Sequence, residues 1–224
     1  MSDRYIADTI EYKGHIIEIV SDSDYENPRE WSDSPCVMVC WHRRYTLGDE
    51  QPKCSPDEWL EEMANIDTDV DDYEFDADTC IKMIEEQGTL ISPLYLYDHS
   101  GITISMGGFS CPWDSGQIGW IYTTKESIEK EGWTREQAEK YMKAEVETYD
   151  DYLTGNVWGY RVVETGDSTW GYFGDYEKCG AIEDAKSAID WHIKDTIKKH
   201  IEKVKVWIKN RVPLQYRHQM ELVC

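Results

Sequence analysis

The stretch 93-PLYLYDHSGITISMGGFSCPWDSGQIGWIY-122 decides how the middle of this 224-residue chain is read. It crowds Asp98, His99, Ser100, Ser110, Cys111, Asp114 and Ser115 into eighteen positions, which suits either a reaction centre or a run of tight turns. Residues 94–97, 102–106 and 117–124 are rich in β-branched and aromatic side chains, the composition of strands. Asp98-His99-Ser100-Gly101 has the make-up of a hairpin turn. Three neighbouring side chains on a turn diverge, whereas a catalytic triad needs them to converge. The segment therefore reads as an antiparallel meander with a longer loop at 107–116. A second use stays open: Cys111 as a nucleophile if the strands bring it to His99, with Asp114 beside it. Asp114 is equally placed to accept backbone N–H bonds in an Asx turn. Trp113 is a candidate aromatic lip over a binding surface.

Working outward, 9-TIEYKGHIIEIVSD-22 predicts a hairpin about Lys13-Gly14, and 36-CVMVCWHRRY-45 a buried strand. Ser55, Pro56 and Glu58 spell a capping box with proline at the first helical position, opening a helix to about residue 65. A second short helix is expected over 78–87, ending at Gly88. Thr134 and Gln137 form another capping box, for a helix that stops at Gly155. A strand over 156–164 and a Gly- and aromatic-rich loop or hairpin over 165–180 follow. Ile182, Ala185, Ile189, Ile193, Ile197, Ile201, Val204 and Ile208 then step by three or four, one apolar stripe about 40 Å long that Pro213 ends. The mixed order predicts an α+β fold: an antiparallel sheet with packed helices and a long C-terminal amphipathic helix. The expected layout is an acidic domain over 1–180, with the helix and short tail of 181–224 packed on it or used for association.

The formal net charge is −22. Between residues 49 and 86 fifteen Asp or Glu stand against Lys53 and Lys82, whereas 181–224 holds nine Lys or Arg against six acids. Charge of this size acts on solubility and choice of partner more than on fold. It opposes direct nucleic-acid binding, which needs cations to displace counterions. It suits a protein whose own task is to grip nucleic acid. The carboxylates expected to carry such a contact are Glu58, Glu61, Glu62, Asp67, Asp69, Asp71, Asp72, Glu74, Asp76 and Asp78. Asp67, Asp69 and Asp71 stand at calcium-loop spacing, but Asp72 replaces the required glycine and Asp78 the bidentate glutamate. That leaves a solvated acidic loop or a phosphate-imitating surface.

Seven cysteines, an odd number without a CxxC pair, fit a reducing cytoplasm, and no signal peptide is recognised. No apolar run approaches the ~20 residues that span a membrane, so no membrane partner is expected. In a strand, Cys36, Met38, Cys40 and His42 share one face. A sulfur-rich core is the simpler reading beside a metal shared with Cys111 or His99, and neither metal nor cofactor is expected. The sequence contains no P-loop, dinucleotide fingerprint, HExxH or GxSxG motif.

At 41-WHRRYTLGDEQP-52, 93-PLYLYDHSGITIS-105, 109-FSCPWDSGQIGWIYTTKE-126 and 147-ETYDDYLTGNVWGY-160 the chain resembles a family of small proteins of bacteriophages, prophages and other mobile elements. The resemblance spans about 11–176. It implies a bacterial host cytoplasm in which accessory proteins disarm defence, and it carries over no catalytic residues. The expectation is a non-enzymatic accessory protein that inhibits a host nucleic-acid-acting defence enzyme, of anti-CRISPR or anti-restriction type, by imitating nucleic acid. The alternative is a nucleotide-like ligand site or enzyme on His99, Cys111 and Asp114. Association as a homodimer through 181–208 is a third use of the chain.

Overall fold

Two antiparallel four-stranded sheets organise the computed structural model, which describes residues 5–31, 34–66, 76–213 and 216. The α+β class expected from the sequence holds. The chain divides into two compact units: residues 22–157 with 173–175, and residues 1–21, 158–172 and 176–224.

The larger unit is a sheet covered by helices on both faces. Its strands are β3 (Val37–Cys40), β4 (Leu90–Asp98), β5 (Ile102–Ser105) and β6 (Ser115–Thr123), in the order β3-β6-β4-β5. Alternation sorts the side chains. Cys36, Met38, Cys40, Leu94 and Ile121 pack with Ala138, Met142, Val146 and Tyr149 of the helix α4 (Arg135–Thr154). Val39, Ile91 and Trp120 point the other way, onto Trp59 and Leu60 of α1 (Pro56–Met63) and Cys80 and Ile84 of α2 (Ala77–Glu86). Both capping boxes form: Ser55 accepts from Glu58 N and Thr134 from Gln137 N. Asp76 caps α2, and Thr124 caps a short helix the sequence reading lacked, α3 (Lys125–Glu131).

The three central strands are not a sequential meander. β6 pairs with β4, from Leu90↔Thr123 to Tyr97↔Ser115, while β5 occupies the far side of β4 and the sheet edge. A nine-residue strand matches another nine-residue strand better than it matches the four residues of β5. The loop before β6 is long enough to make the crossing. The exposed edge is then blunted, because Ile104 N of β5 donates to the Asp150 carboxylate of α4 at 2.8 Å. Ile118 is the extra residue of a bulge between Leu94 and Tyr95, which flips the face of β6 side chains beyond it. Gly119 has no room for a side chain: a Cβ there would lie 1.9 Å from Val39 O.

The smaller unit has the strand order β1-β2-β7-β8, from β1 (Ile6–Tyr12), β2 (His15–Ser21), β7 (Val157–Val162) and β8 (Ser168–Phe173). Lys13 and Gly14 both have positive φ, 50° and 77°, as the tight turn of the first hairpin requires. Ile17, Ile19, Tyr160 and Val162 meet Ala181, Ala185 and Ile189 of α5 (Ala181–Arg211). Only the first half of α5 is covered this way. Ile197 is 54% exposed and Val204 41%, so the apolar stripe continues into solvent.

Charge separates cleanly between the units. The larger holds thirty-two Asp or Glu against ten Lys or Arg, a net of −22, and the smaller holds thirteen of each. No helix among the described residues is long and apolar enough to cross a membrane.

Candidate functional site

The β4–β5 turn and the loop before β6 meet. Asp98 N donates to Asp114 O at 2.8 Å, and the Asp98 carboxylate pairs with Arg44. The Asp114 carboxylate lies 3.3 Å from His99 Nδ1 and accepts from the Cys111 thiol at 3.6 Å. His99, Cys111 and Asp114 are therefore brought together, which their spacing alone did not establish. Their order is not that of a nucleophilic triad. The carboxylate stands between thiol and imidazole, and among the described residues no hydrogen bond joins Cys111 to His99, so the imidazole is not positioned to take the thiol proton. Ser115 Oγ also donates to Cys111 O at 2.5 Å, so these groups fasten the loop. Trp113 is 91% exposed and stands clear of this cluster's hydrogen bonds.

The sulfur-rich strand face is core. Cys36, Met38 and Cys40 are buried, and burial is the first cause pushing the Cys36 and Cys40 thiols up to about 12. His42 Nδ1 is engaged with the backbone N–H groups of Arg44 and Tyr45, at 3.3 and 3.1 Å, and its ring stacks on Tyr45. Among the described residues no group of three or more His, Cys, Asp or Glu could hold a metal ion.

Of the ten carboxylates singled out on charge, Asp67, Asp69, Asp71, Asp72 and Glu74 lie outside the described residues. The other five divide by duty. Glu58 accepts from Ser55 N at 2.8 Å and Asp76 from Thr79 N at 2.7 Å, so both hold helix ends. Glu61 is half-buried, and Glu62 and Asp78 are exposed. Beside α1 opens a cavity of about 850 Å³ whose lining includes Glu50, Trp59, Glu62, Asn65, Gln87 and Tyr122, with no Lys or Arg. Neither Glu50 nor Glu62 has an ion-pair partner among the described residues. Burial first, then the charges of Glu50 and Asp49, push the Tyr122 hydroxyl up.

Two features escaped the sequence reading. Arg29, with its side chain 4% exposed, donates to Asp49 through Nε at 3.0 Å and Nη2 at 2.5 Å, to Cys36 O at 2.8 Å, and to Glu145 of α4. Ser34 Oγ donates to Glu145 at 2.7 Å. An arginine in the acidic run 24-DYENPRE-30 is the only trace of this network in the sequence. The second feature is a cavity of about 610 Å³ between β5 and α4, lined in part by Met106, Phe109, Glu147, Asp150 and Asp151. Burial pushes the Asp150 and Asp151 carboxyls up.

The chain matches no family model, no curated protein and no solved structure. Its site is therefore read from its own chemistry.

Proposed function

We propose that this protein is an acidic, non-enzymatic binder that occupies the cationic surface of a bacterial nucleic-acid-acting protein, as a phage accessory protein does in disarming host defence. The observation that carries this reading is the partition of charge. All of the net −22 sits in the larger unit, and that unit also presents Glu62 of α1 and Glu50 beside it, neither with an ion-pair partner among the described residues. A surface of this kind competes with nucleic acid because both release counterions from the same cationic groove. The alternative, a nucleotide-like ligand or an enzyme at the β4–β5 loops, draws less support: Asp114 already engages both His99 and Cys111.

The test is capture of partners by the tagged chain from nuclease-treated bacterial lysate, with elution by rising salt. A nucleic-acid-binding protein released by a few hundred millimolar salt, roughly where screening contracts to a few ångströms, is the expected result. The decisive control combines Glu61→Lys, Glu62→Lys, Asp78→Lys and a change at the exposed last residue of α2, Glu86→Lys, which spares the capping residues Glu58 and Asp76. Undiminished capture by that folded variant would overturn the proposal.

A further inference from the structure

The cavity beside α1 offers more than charge. Its two aromatic members, Trp59 and Tyr122, have ring centroids 5.8 Å apart and planes inclined at 53°, so they form a wedge and not a closed stack. Trp59 is held from behind. It stacks on Trp120 at 5.7 Å with planes 17° apart, and Trp41 abuts both rings edge-on. Trp41 is itself fixed through Nε1 to Cys54 O at 2.8 Å. Elsewhere in the lining Asn65 Nδ2 donates to Gln87 Oε1, and Gln87 Nε2 donates to Ala64 O, each at 3.1 Å, so those amides are already engaged. The groups left to meet a ligand are the half-buried Tyr122 ring, the narrow exposed part of Trp59, the Gln51 and Thr89 side chains and the carboxylates of Glu50 and Glu62. The volume of about 850 Å³ lies within the ~300–1,000 Å³ of small-ligand sites.

This chemistry selects a planar cation, and we propose that the cavity seats an arginine side chain of the partner protein. The inference rests on the proposed function and names the group this part of the surface grips. A guanidinium stacks on aromatic rings, sheds water readily and presents paired donors to a carboxylate. A lysine ammonium meets the charge but not the stacking. A phosphate meets two carboxylates and no cation, so a nucleotide is refused here. Arginine is also the residue that nucleic-acid-binding proteins use most for bidentate contacts. The cavity thus adds recognition of one side chain to a surface that otherwise attracts by charge.

The experiment is calorimetric titration of the full chain with tri-arginine amide and, separately, tri-lysine amide. The two peptides carry equal charge, so their difference reads stacking and geometry. Tri-arginine is expected to bind ~10-fold more tightly. Glu50→Gln with Glu62→Gln should erase that preference, while Asp78→Asn, an exposed acid outside the cavity lining, should leave it intact. Should Tyr122→Leu be used to remove the wedge, Glu62→Gln alone guards against misfolding, since Glu62 is exposed. Equal affinity for the two peptides, or a preference that survives the double glutamine variant, would overturn the arginine site. That failure is distinct from failure of the broader proposal, which is judged by capture with the four-lysine variant. Partner capture without arginine preference would leave charge alone as the basis of binding.

Discussion

The two units solve the same folding problem with opposite electrostatics. Each buries Ile- and Val-rich strand faces against a helix. The smaller unit balances thirteen acids with thirteen bases, while the larger carries thirty-two acids against ten. Burying strand faces against helices needs no such excess, as the neutral unit demonstrates, and self-repulsion makes the excess a cost to stability. The difference teaches that the excess charge belongs to one unit and not to the demands of folding. It also shows how an acidic unit keeps its fold: Arg29, one of its ten cations, is spent inside, joining the 28–30 turn, the loop at Asp49 and helix α4.

That contrast can be broken most sharply at Arg29. Arg29→Met strips the cation from Asp49 and Glu145 and should destabilise the larger unit by about 3–5 kcal/mol, the range for orphaning a buried charge. Urea unfolding followed by circular dichroism should show the loss, and Arg29→Lys should recover only part of it because the two-pronged contact to Asp49 is gone. In the smaller unit the comparable change is apolar. Ile189→Ala, at a fully buried position of α5, should cost about 2–4 kcal/mol with no dependence on salt. An equal salt dependence at the two positions would dissolve the contrast.

A smaller effect follows from the buried thiols. Cys36 and Cys40 are raised from 9.0 to about 12 in the folded chain, so above pH 9 the unfolded chain gives up protons that the folded one keeps. The stability they supply is complete below pH 9 and is lost as the pH rises from about 9 to about 12. Urea midpoints across that window should fall, and Cys36→Ala with Cys40→Ala should flatten the slope. The smallest effect belongs to the β4–β5 turn. His99→Ala removes a largely exposed ring and should change stability by no more than ~0.5 kcal/mol. A large loss there would mean that the His99–Asp114 contact does more than fasten a loop.

Local signals made much of this fold legible. The capping residues Ser55 and Thr134, the Lys13-Gly14 turn and the stripe of α5 each announce an element through neighbours in sequence. Pairing is another matter. That β6 passes β5 to reach β4 depends on matched strand lengths and on a helix that covers the remaining edge, and neither is a local property. The same holds for sites. The carboxylates of α1 and α2 stand out by composition, and Glu58 is legible as part of a capping box, but the duty of Asp76 as the cap of α2 needed the helix end. Arg29 went unread because its partners, Asp49 and Glu145, stand 20 and 116 positions away. The sequence makes an approach of Cys111 to His99 conditional on the strands; the contacts found run from both to Asp114 instead, and they hang on two loops.

The most direct test of the central claim is the affinity of the captured partner for the wild-type chain and for the Glu61→Lys, Glu62→Lys, Asp78→Lys, Glu86→Lys variant across a salt series. Wild-type affinity should fall steeply with salt, while the variant, still folded by circular dichroism, should bind weakly at every salt concentration. Equal affinity of the two chains, or wild-type binding indifferent to salt, would contradict an acidic surface as the basis of function.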